Sequence, residues 1–306
     1  MATAGRPSCF ARRRCTTSSE MEARFRGDDA KGSVVVSRID RCFAGLKAEG
    51  RTGLIPFVTA GDPLPEATVD LMHALVASGA DLIELGVPFS DPMADGPVIQ
   101  HASERSLARG VGLRHILGWV REFRGRDADT PVVLMGYLNP FEIHGIGRFA
   151  REAADAGVDG VLLVDCPVEE IEAAAPLRDA GLQQILLVAP TTTDARLARV
   201  CAAAQGFLYY VSFAGITGAD RLSIDDVRAR VRVIRQCASR PVAVGFGVRD
   251  AATAARIGRC ADAVVIGSAL VERLAGAGHA REACARALEF LAPIRAALDA
   301  DAGAGV

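Results

Sequence analysis

From residue 37 onward the chain repeats one two-part unit eight times: a short apolar run, then an amphipathic segment with apolar residues at helical spacing. The runs are LIPFVTA (54–60), LIELGV (82–87), PVVLMGY (131–137), GVLLVDC (160–166), QILLVAP (184–190), FLYYVSF (207–213), PVAVGFG (241–247) and AVVIGSA (263–269). Helical stretches between and after them include 65–79, 223–238 and 280–298. Gly79, Gly157 and Gly181 stand just before strands, where a glycine ends a helix without strain. Asp62-Pro63 and Ser223-Ile224-Asp225 read as helix entries. Eight β-then-α units in about 250 residues predict an α/β fold of the (β/α)8 TIM-barrel type. An open doubly wound sheet is the rival. Its dinucleotide-binding form needs Gly-x-Gly-x-x-Gly after an early strand, and the first run is followed by AGDPLPE.

A barrel places its chemistry at the C-terminal ends of the strands. There the sequence puts Asp62, Glu84, Asp95, Asn139, Asp165, Tyr209 and Gly218. Glu84 lies inside the second run, between Ile83 and Leu85, where an unpaired charge is costly. A carboxyl so flanked has its pKa raised and both gives and takes a proton near neutrality. Asp95, in the Pro/Gly loop MADGP, is expected to stay ionised. The two form a candidate acid/base pair; the alternative is a structural Glu84 that caps amides or pairs with arginine. Asp91 reads as a loop-shaping residue.

Three glycine signals fall late: AGITGAD (214–220), GFG (245–247) and IGSA (266–269). Barrels bind phosphate on backbone N–H groups after strands 7 and 8. Gly247, Gly267 and Ser268 fit that pattern, with Gly218 closing from the sixth loop; otherwise these glycines only turn the chain.

Composition removes other chemistries. Lys31 and Lys47 are the only lysines, so no barrel strand carries a Schiff-base lysine. His73, His101, His115, His144 and His279 all fall in helices or surface loops, so no metal site is expected. A formal charge of −2 argues against a nucleic-acid partner. No apolar run is long enough to span a membrane. Eight cysteines without a C-x-x-C pair read as reduced thiols.

Together, IPFVTAGDP (55–63), LIELGVPFSDPMADGPVIQ (82–100), LMGYLNP (134–140), VDCPVEE (164–170), GITG (215–218), VGFGV (244–248) and IGSALV (266–271) resemble the tryptophan synthase alpha subunit family. The resemblance implies a lyase of L-tryptophan biosynthesis that cleaves indole-3-glycerol phosphate to indole and glyceraldehyde 3-phosphate by cofactor-free retro-aldol chemistry. In its terms Glu84 is the general acid/base, Asp95 binds the indole N–H, and Tyr209 stands beside the glutamate. Gly218, Phe246, Gly247, Gly267 and Ser268 match the phosphate site. Phe57, Met135 and Leu162 match the indole pocket, and Thr217 a loop residue that meets the aspartate on closure. Phe213 departs from the arginine of enterobacterial members.

The resemblance also implies a beta-subunit partner in a tetramer of two alpha and two beta chains, with pyridoxal phosphate held only by the partner. A stand-alone lyase releasing free indole and a non-catalytic activating barrel are the other readings of the same motifs. Residues 1–36, rich in Arg, Ser and Thr, read as a disordered leader, transit-like or from a mis-called start. Residues 37–298 are the expected barrel and 299–306 a flexible tail. The expected location is the cytoplasm, or a plastid if the leader is a transit peptide.

Overall fold

The structure is a computed structural model that describes residues 36–211, 223–245 and 247–302. Eight parallel strands close into a barrel: β1 (Gly53–Thr59), β2 (Ile83–Gly86), β3 (Val132–Gly136), β4 (Gly160–Leu163), β5 (Gln183–Val188), β6 (Leu208–Val211), β7 (Val242–Gly245) and β8 (Ala263–Ile266), with β8 pairing back to β1. The (β/α)8 expectation holds and the open sheet is excluded.

The helices are α1 (Arg38–Ala48), α2 (Thr68–Ala77), α3 (Pro97–Ala108), α4 (Leu113–Arg124), α5 (Leu138–His144), α6 (Ile146–Ala156), α7 (Ala175–Asp179), α8 (Asp194–Ala203), α9 (Ile224–Cys237), α10 (Ala251–Gly258), α11 (Ser268–Leu274) and α12 (Ala280–Ala302). Gly79, Gly157 and Gly181 all take positive φ (90°, 90° and 82°), as their places before strands predict. Ser223 caps α9: its hydroxyl accepts from the Asp226 N–H, and the Asp226 carboxylate accepts from the Ser223 N–H.

Two apolar layers follow from the strand period of two. Leu54, Val58, Ile83, Leu85, Val132, Leu134 and Val161 point outward and pack under the helices. Ile55, Leu82, Val133, Leu162, Ile185, Phe207, Ala243 and Val265 point inward. The inner layer is closed from below by α1, whose Ile39, Phe43 and Leu46 join the same cluster. Phe43 and Phe207 stack with ring centroids 5.5 Å apart. Several bonds that seat α1 reach strand beginnings. Asp40 accepts from Gln183 at 2.9 Å and from Arg240 at 3.1 Å, and Arg38 pairs with Asp159 at 3.0 Å. Ser37 caps this helix.

One expectation needs correction, the extent of the tail. The last helix runs to Ala302, so 299–302 are helical and not part of a flexible tail. Asp299 is the reason: it accepts from Arg295 at 2.6 Å and from Arg51 at 3.2 Å, tying the final turn to the start of β1. Cys201 and Cys237 are brought side by side between the ends of α8 and α9, with Cα atoms 6.1 Å apart. Sequence spacing did not reveal this proximity because helix packing alone brings residues 36 apart together. Cys42, Cys166, Cys260 and Cys284 are free thiols. The leader boundary at 36 concerns residues that lie almost wholly outside the described ones. Among the described residues no helix is long and apolar enough to cross a membrane.

Candidate active site

The strand register decides where Glu84 points. Its neighbours Ile83 and Leu85 belong to the outer layer, so Glu84 faces the barrel interior, in register with Phe57 of β1 and Val133 of β3. It is 0 % exposed. Neither carboxyl oxygen has a hydrogen-bond partner among the described residues. A structural carboxylate would show such a partner, since buried polar groups are otherwise paired. Burial pushes the Glu84 pKa up from 4.5 to about 8, so at neutral pH the side chain holds its proton.

Tyr209 reaches the same space from β6, itself nearly buried. Burial raises its phenol well above the ordinary value, and the charges of Glu84 and Asp95 raise it further, which places all three groups within electrostatic reach. Gly245 of β7 makes room for it. A Cβ there would lie 2.5 Å from the Tyr209 hydroxyl oxygen, closer than atoms pack.

Asp95 hangs over the mouth in the loop after β2. Burial raises its pKa from 3.8 to about 6, against the lowering effect of a hydrogen bond with Tyr137. Tyr137 follows β3, and its hydroxyl oxygen also accepts the Ala94 N–H at 3.0 Å. Gln100 in the first turn of α3 donates to the Asp95 carbonyl at 2.8 Å. Near pH 7 the two carboxyls therefore differ: Glu84 neutral, Asp95 ionised. Unlike environments have separated an acid from an anion, as an acid/base pair requires.

Beside Asp95 lies a narrow pocket lined by Phe57, Thr59, Ser103, Met135 and Tyr137, while Glu84, in register with Phe57, is buried and does not line it. Thr59 presents a buried hydroxyl oxygen with no partner among the described residues. The Phe57 ring lies against Gly86, where a Cβ would come within 2.5 Å of it. Met135 and Leu162 are paired in register and both belong to the inner layer, but Leu162 is fully buried beneath the pocket and does not line it.

The phosphate candidates sit on the neighbouring edge. Gly247 follows β7 with φ 45°, a conformation that favours glycine. Gly267 and Ser268 follow β8 and open α11, whose first N–H groups have no intrahelical acceptor. Since β7 and β8 pair (Gly245 opposite Val265), both turns occupy one side of the mouth. Gly218, Phe246, Thr217 and Phe213 lie outside the described residues. Among the described residues no three His, Cys, Asp or Glu side chains cluster as metal ligands.

Tyr137, Thr59 and Ser103 were not singled out from the sequence, and Gly245 was noted only as part of the GFG glycine signal. Tyr137 carried a signal, being the last residue of the third apolar run at the chemical end of its strand. Asp62 does not open a helix: it grips Arg105 of α3, while a short 3-10 turn, Pro65–Ala67, leads into α2. Asp165 accepts the Leu138 N–H at 2.7 Å, at the start of α5. The Asp91 carboxylate accepts from the Ser90 hydroxyl within the loop.

Against known proteins, the family model described as Tryptophan synthase alpha chain matches residues 43–298. The tryptophan synthase alpha chain of Xanthomonas euvesicatoria pv. vesicatoria is 62 % identical over 265 residues, 86 % of this chain and 98 % of that one. The corresponding chain of Ralstonia nicotianae is 61 % identical over 267 residues, covering 87 % of this chain and 100 % of that one. The crystal structure of tryptophan synthase subunit alpha from Legionella pneumophila str. Paris superposes with a TM-score of 0.81 at 43 % identity, covering 86 % of this chain and 99 % of that one.

Proposed function

The chain belongs to the tryptophan synthase alpha chain family, and on that premise we propose that Glu84 and Asp95 carry its reaction. It is a lyase of tryptophan biosynthesis that cleaves indole-3-glycerol phosphate. The protonated Glu84 gives its proton to C3 of the indole ring. Positive charge then develops at the ring nitrogen, whose N–H donates to the Asp95 carboxylate. Glu84, now ionised, takes the proton of the hydroxyl on the side-chain carbon bonded to C3. That C–C bond breaks, its electrons return to the ring, and indole leaves with glyceraldehyde 3-phosphate. Glu84 ends the cycle as it began, with a proton. The ring itself accepts the electrons, so the step calls for no lysine and no metal ion.

Tyr209, protonated beside Glu84, supplies a hydroxyl donor to the developing charges. Gly247, Gly267 and Ser268, with Gly218 and Phe246, hold the phosphate on backbone N–H groups. Phe57 and Met135 flank the indole, Leu162 forms the apolar bed beneath it, and Thr217 meets Asp95 from the sixth loop.

An alpha chain implies a beta-chain partner, and we assign a tetramer of two alpha and two beta subunits in which the beta chains hold pyridoxal phosphate. Met93 (83 % exposed) and Ile143 (80 %) are large apolar side chains on the elements following β2 and β3. They give the mouth side a surface for that partner. We place the protein in the cytoplasm; its bacterial relatives lend a plastid address no support.

The observation that carries this reading is the fully buried, unpartnered carboxyl of Glu84. Incubating the pure chain and its Glu84→Gln variant with indole-3-glycerol phosphate tests it through indole release. Loss of at least about 10²-fold in the variant is expected for a general acid/base. Adding a beta chain distinguishes a partnered subunit, which is activated, from a stand-alone lyase, which is not. A chain that stays inactive yet binds the beta chain would be the non-catalytic barrel.

A further inference from the structure

Asp95 works only if its loop sits at the right height over the mouth, and that loop runs straight into α3. Gly96 and Pro97 open the helix, and Gln100 in its first turn holds the Asp95 carbonyl. What fixes α3 therefore fixes Asp95. One face of the helix packs through Ala102 against Phe57 and Val271, a contact without direction. The directed bonds come two turns from the start. Arg105 donates to both oxygens of Asp62, Nε to Oδ1 at 2.7 Å and Nη2 to Oδ2 at 2.9 Å, and the Ser106 hydroxyl donates to the Ala60 carbonyl at 2.6 Å. The Asp62 side chain is only 2 % exposed, on the turn after β1, the strand whose Phe57 is in register with Glu84. A two-pronged Arg–carboxylate pair fixes orientation as well as distance.

We propose that the Asp62–Arg105 pair is a positioning device for the reaction, locking the axis of α3 to the turn after β1 so that Asp95 stays aligned with the interior face that carries Glu84. This rests on the assignment of Asp95 above. Arg105 touches no reacting atom: it lies eight residues from the helix start, about 12 Å along the axis at 1.5 Å per residue. Its effect passes through Asp95 and so through turnover, while the phosphate turns after β7 and β8 keep substrate affinity.

The test compares the full chain with Arg105→Gln, Arg105→Lys and Asp95→Asn, measuring kcat and KM for indole-3-glycerol phosphate and the melting temperature of each. Because misplacement of about 1 Å costs on the order of 10²-fold, Arg105→Gln is expected to lower kcat by about 10-fold or more with KM within about threefold of wild type. Arg105→Lys keeps the charge but offers a single point donor, so it is expected to fold and to recover only part of kcat. Wild-type kcat in either folded variant, or a loss expressed in KM alone, overturns the proposal. So does failure of both variants to fold, since the pair would then support the whole barrel. Asp95→Asn separates the two levels. If it turns over normally, the role of Asp95 itself falls. If it is inactive while both Arg105 variants are normal, only the positioning role falls.

Discussion

Replacing Glu84 with glutamine removes a charge that the barrel interior penalises, and the penalty has a definite pH dependence. Below about pH 4.5 the carboxyl is protonated in folded and unfolded chains alike and adds no pH dependence. Between there and its folded pKa of about 8, only the unfolded chain ionises, so the wild-type fold loses stability as pH rises. The slope is about 1.4 kcal/mol per pH unit, which comes to about 3 kcal/mol by pH 7 and levels off near 5 kcal/mol above pH 8. The amide of the Glu84→Gln variant does not titrate, so the stability of that variant lacks this slope, whatever constant offset the buried amide brings. For a domain of this size, a loss of roughly 3 kcal/mol between pH 5 and pH 7 corresponds to roughly 6–12 °C in melting temperature. Melting curves of both proteins, followed by circular dichroism at pH 5, 6, 7 and 8, read the difference directly. The variant should gain on the wild type across that range while its indole release is lost. Parallel curves would show that Glu84 is already ionised or paired inside the barrel, and the neutral-acid reasoning would fail.

Three further outcomes follow from the same geometry. The kcat/KM profile should be a bell, rising as Asp95 ionises near pH 6 and falling as Glu84 loses its proton near pH 8; a flat profile between pH 5 and 9 in a steady-state indole assay would contradict both assignments. Gly245→Val should push the Tyr209 hydroxyl off its position, because even a Cβ lies 2.5 Å from it, and should cost about 10-fold or more in kcat; unchanged kcat would show that the hydroxyl's position is immaterial. Met93→Asp combined with Ile143→Asp should weaken beta-chain binding by about 10-fold or more in titration calorimetry while leaving the melting temperature unchanged, since both side chains face solvent; undiminished binding would move the interface elsewhere.

The barrel was legible because its signal is periodic and local. Each strand is an apolar run, each helix a 3.6-residue pattern, and Gly79, Gly157 and Gly181 mark the joins. Glu84 was legible as a violation of that pattern, a carboxyl where the strand demanded an apolar side chain. The rest depends on contacts between residues distant in sequence, which no window along the chain contains. Tyr137 meets Asp95 only because β2 and β3 are neighbours. Arg105 meets Asp62 only because α3 folds back over the turn after β1. Cys201 and Cys237 come side by side only through the packing of α8 on α9. The burial that raises Asp95 to about 6 comes from the folded surroundings of the loop, which the string MADGP does not contain; that string suggested only a carboxylate that stays ionised.

The helix beneath the barrel has one more effect. With Ile39, Phe43 and Leu46 stoppering the far end, the interior formed by the described residues opens on the side of the strand C-terminal ends. Substrate, departing indole and any hydrogen ion exchanged with bulk solvent must all use that opening. Whatever covers it therefore isolates Glu84 from water, and the proton taken from the hydroxyl has nowhere to go but the next turnover.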